Sequence, residues 1–185
     1  MIRKLETDRL LLRPFELSDA NKVQLLAGDK EVASTTLAIP HPYPDGAADQ
    51  WIEAARQAAE NGDRYAFAVV RKEDEELVGN MSIGIARHHN RAELAYWIGK
   101  PYWGQGYATE AARRMVQFGF EELELNRIHA AAMTKNPASY KVMINVGMKY
   151  EGTFPQHIMK WGQYEDLVFY GMIRTDLPKQ MTFFI

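Results

Sequence analysis

The chain has 185 residues, the size of one domain with room for a substantial core, and 22 Lys and Arg against 24 Asp and Glu give a net charge of -2, so no global basic field draws it to nucleic acid or an anionic membrane. It has no cysteine, which excludes a disulfide scaffold, a thiol nucleophile and a cysteine-held metal and agrees with a reducing compartment. No apolar run approaches the roughly 20 residues of a membrane span, and Met1 to Leu12 carries charges throughout instead of a signal-peptide core, so a single cytoplasmic domain over residues 1–185 is expected.

Leu10 to Phe15 reads as a first strand stopped by Pro14, which has no N–H to give a ladder. Ser18 is the candidate cap of a helix with Ala20, Val23 and Leu26 or Ala27 on its apolar face and Gly28 at its end. From Asp29 to Asp45 the pattern is irregular, and Pro40, Pro42 and Pro44 leave an extended loop carrying His41 and Tyr43, placed either at a substrate mouth or on an uninvolved surface. Trp51, Ile52, Ala55, Ala58 and Ala59 form the stripe of a helix from Ala47 to Asn61. A strand with Tyr65, Phe67 and Val69 on one face, a charged turn from Lys72 to Glu76 and a returning strand from Leu77 to Ile85 make a hairpin. His88, His89 and Asn90 read as a solvated turn, since adjacent histidines share neither a strand face nor a helix face, and no metal is expected there.

The central stretch runs from Glu93 to Thr109. Ala92 to Ile98 is apolar and aromatic, as a buried strand should be, and Gly99, Lys100 and Pro101 end it. From Ala108 the period becomes helical through Ala111, Ala112, Met115, Val116 and Gly119. Gly104 and Gly106 remove the side chains that would hold a ligand away, so backbone N–H groups can converge ahead of a positive helix end on a phosphate or pyrophosphate; the rival reading is a tight strand-to-helix turn without a ligand. The stretch lacks the Gly-Lys-Ser/Thr of a P-loop and the third glycine of a dinucleotide site. Arg127 to Met133 reads as another strand, Asn136-Pro137 opens a helix with Val142, Met143 and Val146 buried, and Gly147 ends it. Met148 to Phe154 and Leu167 to Ile173 close the chain as a strand pair around Lys160 to Gln163. The sum is an α/β (α+β) fold with a mixed sheet flanked by helices.

The stretch Tyr102-Trp-Gly-Gln-Gly-Tyr-Ala-Thr-Glu-Ala111 resembles the acyl-CoA loop of the GCN5-related N-acetyltransferase (GNAT) superfamily, and in this variant its RimJ/RimL-like branch, which acetylates ribosomal-protein N-termini. Gly106 and Ala108 match the last two positions of the general pattern, while Trp103 departs from the first. Thr7 to Pro14, Asn136, Gly147 and the segment Trp161 to Asp166 are similar too, with Trp161 in place of the usual Asn, so the likeness covers nearly the whole chain. It implies a mostly antiparallel central sheet and acetyl-CoA as cosubstrate, held by Gly104, Gln105, Gly106, Tyr107, Ala108 and Thr109, by the backbone of Trp97 and Ile98 and by Asn136, with no metal.

Acetylation sets its own demands. An alkyl amine with a pKa near ~10 is largely protonated at neutral pH, so a base must take its proton. Glu93 resembles the glutamate that serves as base in several members, with His129 and His157 as rivals; the bland alternatives are a solvated Glu93 and a hydrogen-bonded core His129. For the departing thiolate, much of the superfamily has a Tyr where Met143 stands; the RimJ/RimL-like branch uses a Ser that matches Ser139, with Tyr140 as fallback and a simple helix cap as the alternative role. The resemblance implies a protein N-terminal amine as acceptor; a polyamine, amino sugar or amino acid is the alternative, as is a non-catalytic acyl-CoA sensor. The apolar tail Phe183-Phe184-Ile185 is read as packing on the domain or on a second subunit, in which case the chain is a homodimer.

Overall fold

The computed structural model describes residues 4–177; the apolar tail Phe183-Phe184-Ile185, and the dimer contact read from it, lie outside them. Strands β1 (Leu5–Glu6), β2 (Leu10–Pro14), β3 (Arg64–Arg71), β4 (Leu77–Ala86), β5 (Arg91–Ile98), β6 (Arg127–Met133), β7 (Lys149–Lys160) and β8 (Gln163–Ile173) form one sheet in the order β1-β2-β3-β4-β5-β6-β8-β7. Neighbours run antiparallel except β5 and β6, which are parallel. A parallel pair needs a long crossover. Here it is α4 (Tyr107–Gln117), extended by a π-helical turn over Phe118–Glu122. The other helices are α1 (Ala20–Ala27), α2 (Lys30–Thr35), α3 (Ala47–Glu60) and α5 (Pro137–Asn145). None among the described residues is long and apolar enough to cross a membrane.

Strand alternation sends side chains to two cores. Phe67, Val69, Met81, Ile83, Leu94 and Ile128 join α4 and α5 on one face. Ala66, Ala68, Val70 and Trp97 join α1, α2 and α3 on the other. In α4 the three- and four-residue spacing puts Ala111, Ala112, Met115 and Val116 fully inside.

Three expectations change. Ser18 does not cap α1: a 3-10 turn over Leu17–Asp19 leads into the helix, and Asp19 takes the acceptor role, receiving the Glu16 N–H at 2.8 Å and both Arg13 Nη groups at 2.7 and 2.8 Å. The segment after Asp29 is not all loop, because the Asp29 carboxylate caps α2 through the N–H groups of Glu31 and Val32. The closing strands reach the Lys160 to Gln163 turn, with register shifts at Tyr150/Gly152 and Phe154/Ile158. Those bulges break the alternation that would have marked β7 as long.

Gly79 lies where β4 passes the far end of β5. A Cβ there would overlap the Trp97 carbonyl oxygen and stand 2.7 Å from Ile98 Cδ1 and 3.0 Å from Ile98 Cα. Gly79→Ala is expected to lower stability by about 1–3 kcal/mol, read as a shift in the urea midpoint, because backbone atoms cannot yield as a side-chain tip can.

Candidate active site

β5 and β6 pair only at Arg91/Arg127, Ala92/Ile128 and Glu93/His129. Beyond that row each keeps its outer neighbour, β5 holding β4 as far as Ile98 and β6 holding β8 as far as Met133. The result is a wedge between two strands whose facing edges do not pair with each other. The Gly99 N–H bonds Val78 O at 2.8 Å, which makes Gly79/Ile98 a non-hydrogen-bonded pair and Asn80/Trp97 a hydrogen-bonded one. The N–H and C=O of Trp97 therefore face β4, and its side chain sits in the second core. The backbone groups that face the wedge are those of Tyr96 and Ile98, and the Ile98 carbonyl accepts the Trp103 Nε1–H at 2.6 Å. Of the two backbone positions implied for the cosubstrate, Ile98 thus opens on the wedge and Trp97 does not.

The glycine loop lies at the start of α4. Gly104 and Gly106 have φ of +74° and +81°, the left-handed region that glycine enters without strain. The N–H groups of Gly106, Tyr107, Ala108 and Thr109 have no acceptor among the described residues, as the first turn of a helix requires. The loop is clamped from β2's side: Glu110 accepts from Thr7 Oγ1 at 2.6 Å, Arg9 N at 2.9 Å and Arg9 Nε at 2.7 Å, and Arg9 also donates to Gln105 O at 3.1 Å. Burial alone would raise the Glu110 carboxyl; the bonds from Thr7 and Arg9 outweigh it and hold it below the usual range. Arg9 covers the Tyr107 ring at 4.8 Å, and Tyr107 is buried.

At the start of α5, Asn136 Oδ1 accepts Ser139 N–H at 3.2 Å while Nδ2 donates to Thr35 O at 3.2 Å, tying α5 to α2. Lys160 Nζ donates to Ile39 O at 2.9 Å, and the His41 and Trp161 rings lie 5.8 Å apart. The proline-rich loop therefore joins the β7–β8 turn instead of running free. Tyr96 Oη lies 2.7 Å from Ser139 O and 3.1 Å from Ser139 Oγ. Burial pushes the Tyr96 phenol up to about 12, so it keeps its proton at neutral pH. Tyr140 turns away and stacks on Tyr170 at 6.1 Å. Tyr96 was not singled out in the sequence; its signal was alternation, which puts it on Leu94's buried face, where a phenol needs a hydrogen-bond partner.

Glu93 is exposed on the opposite face from Tyr96, with no hydrogen bond to Ser139. Directly across the last paired row is His129. It is not a satisfied core histidine, since its Nδ1 is buried without a partner. Burial, then Arg127 and Arg91, push its pKa down against the pull of Glu93. His129 lines a cavity of about 270 Å³ with Arg91, Arg127, Glu151, Phe154 and Phe169. His157 stands beside it, its ring 5.4 Å from Phe154 and 5.6 Å from Phe169.

Residues 9–149 match the family described as Acetyltransferase (GNAT) domain. The N-acetyltransferase YoaA of Bacillus subtilis, itself uncharacterised, is 30% identical over 173 residues, covering 92% of this chain and 96% of that protein. The L-amino acid N-acetyltransferase AaaT of Escherichia coli is 23% identical over 168 residues, covering 89% and 98%. The solved ribosomal-protein-S5-alanine acetyltransferase of Vibrio fischeri superposes with a TM-score of 0.84 at 20% identity, covering 95% and 98%, a likeness of fold.

The His129 shift has a stability consequence. Its folded pKa lies below the ordinary value of 6.5, so as pH falls through that value the unfolded chain takes up a proton that the fold resists, and stability declines. His129→Gln is expected to lose less stability than wild type between about pH 7.5 and about pH 5, measured by urea unfolding at both.

Proposed function

The chain belongs to the GNAT family of acetyl-CoA-dependent N-acetyltransferases, and from that premise we propose that it acetylates a primary α-amine by direct attack, with Glu93 as base and Ser139 as proton donor. The observation that carries this is the wedge: the open backbone groups of Tyr96 and the Ile98 N–H suit the amides of an extended arm by strand addition, and the N–H groups from Gly106 to Thr109, which have no acceptor among the described residues, suit its phosphates. Gln105 and Gly104 shape that loop, and Asn136 holds the first turn of α5 against α2.

The amine nitrogen bonds to the thioester carbonyl carbon, the carbon–sulfur bond breaks, Glu93 takes the amine proton and Ser139 donates to the leaving sulfur. With no cysteine to carry the acetyl group, the transfer is a single displacement in a ternary complex. Tyr96 acts through Ser139. Its one proton, held on Ser139 O, leaves the Ser139 hydroxyl donating to Tyr96 Oη; moved to Ser139 Oγ, it frees that hydroxyl to donate into the wedge.

For the acceptor, the Tyr102 to Ala111 pattern supports a protein N-terminus of the RimJ/RimL type. A small amine is the second reading, favoured by the relative named an L-amino acid N-acetyltransferase and by Arg91, which has no ion-pair partner among the described residues, in the cavity beside Glu93. CoA release from acetyl-CoA, assayed across N-terminal peptides, amino acids and polyamines, tests the reading and separates it from an acyl-CoA sensor, which would bind without turnover.

Glu93→Gln is expected to cut kcat by about 10²- to 10⁴-fold with acetyl-CoA affinity retained; an unchanged kcat would remove Glu93 as base. Tyr96→Phe is expected to cost about tenfold in kcat, and the double variant with Ser139→Ala to be no slower than Ser139→Ala alone. Additive losses would mean that Tyr96 does not act through Ser139.

A further inference from the structure

We infer that the cavity next to Glu93 is the acceptor's specificity pocket and takes an α-amine that carries a carboxylate and an apolar side chain, an inference that rests on the acetyl-transfer reading. Arg91 and Glu93 share a face of β5, two residues and so roughly 7 Å apart along the strand. Among the described residues neither side chain has a hydrogen bond or ion pair, to the other or to anything else. The remaining charges of the cavity are already balanced: Arg127 Nη1 meets Glu151 Oε1 at 2.6 Å and its second nitrogen meets the other carboxylate oxygen.

That pairing is built into the floor. Gly171 lies between His129 and Lys149 in register, and a Cβ on it would stand 2.5 Å from Glu151 Oε1. The missing side chain is what lets Glu151 cross β8 to reach Arg127. With that pair neutral and burial keeping His129 uncharged, Arg91 is, among the described residues, the one uncompensated cation lining the recess. A guanidinium fork there matches a carboxylate.

The wall is aromatic. The Phe154 and Phe169 rings meet edge to face at 4.7 Å, and Phe154 is 45% exposed, so an apolar side chain entering the recess covers ring surface that water now touches. An amine at Glu93, an anion at Arg91 and an apolar group on the phenylalanines describe one compact molecule or chain end. A polyamine would instead set a second cation against Arg91.

The carboxylate has two sources, the free α-carboxylate of an amino acid or an acidic side chain next to a peptide's first residue. Four acceptors separate them: leucine against leucinamide, and the amidated dipeptides Leu-Glu against Leu-Gln, each assayed by CoA release with wild type and Arg91→Gln. In at least one pair the carboxylate member is expected to have a kcat/KM at least about tenfold above its partner, through KM. Arg91→Gln, an exposed position whose folding is checked by thermal melting, is expected to bring that ratio to about one. Equal rates within both pairs, or a preference that survives Arg91→Gln, would overturn the pocket while leaving acetyl transfer standing. No CoA release with these or any other amine would remove the acetyl-transfer reading and the pocket with it.

Discussion

Everything in this fold turns on two parallel strands that stop pairing after three rows. A sheet normally closes every backbone N–H and C=O along its interior, and leaving interior edges open is costly unless something fills them. Here β5 and β6 stay joined at Glu93 and His129 and then diverge, each still supported from outside by β4 or β8. Helices α4 and α5 pack on one face and α1 to α3 on the other, and the Trp103 Nε1–H bond to the Ile98 carbonyl ties the loop before α4 to the open end of β5. In the proposed reading an extended ligand entering the wedge would continue the sheet in place of the missing strand, with its anionic end at the helix N-terminus.

The split also answers a geometric difficulty. Glu93 and Tyr96 lie on opposite faces of β5, and Ser139 belongs with Tyr96. In an intact sheet a base on one face and a proton donor on the other could never meet the same bond. Where the sheet is parted, the proposed reading would lay the thioester in the plane of the strands, with the amine approaching from Glu93's side and the sulfur leaving toward Ser139. The residues around the gap hold it still. Thr7 and Arg9 on one edge of the sheet fix Glu110 in the first turn of α4, and Asn136 fixes Ser139 while reaching across to Thr35. The bonds to Glu110 are charge-assisted, and the Asn136 side chain caps a free N–H at the start of α5.

Local pattern made much of this readable in the sequence. The apolar period of α4, the alternation of β3, the glycines at positive φ and the Asn136-Pro137 start of α5 all report backbone preferences carried by the residues themselves. What escaped depended on distant partners. Helix α2 has six residues, too few for an apolar period, and only its Asp29 cap marked it. Trp97 and Ile98 look alike in sequence, yet the ladder phase set by Gly99 and Val78 turns one toward β4 and the other toward the wedge. The cavity joins Arg91, Arg127, Glu151 and Phe169 from four strands, and no spacing along the chain announces such a meeting.

The two halves of the site differ in how freely each can change. The loop from Gly104 to Thr109 presents backbone N–H groups, so it constrains residues by conformation: Gly106 holds a positive φ, and Arg9 bonds both Glu110 and the Gln105 carbonyl beside it. The cavity is lined by side chains of β5, β6, β7 and β8, where a substitution would change the lining without breaking a ladder. Arg127 and Glu151 are the exception, because removing one leaves the other's charge uncompensated in a recess with apolar walls. In the proposed reading donor recognition would thus be tied to the backbone and acceptor recognition to exchangeable side chains, with Glu93 at the row where the two meet.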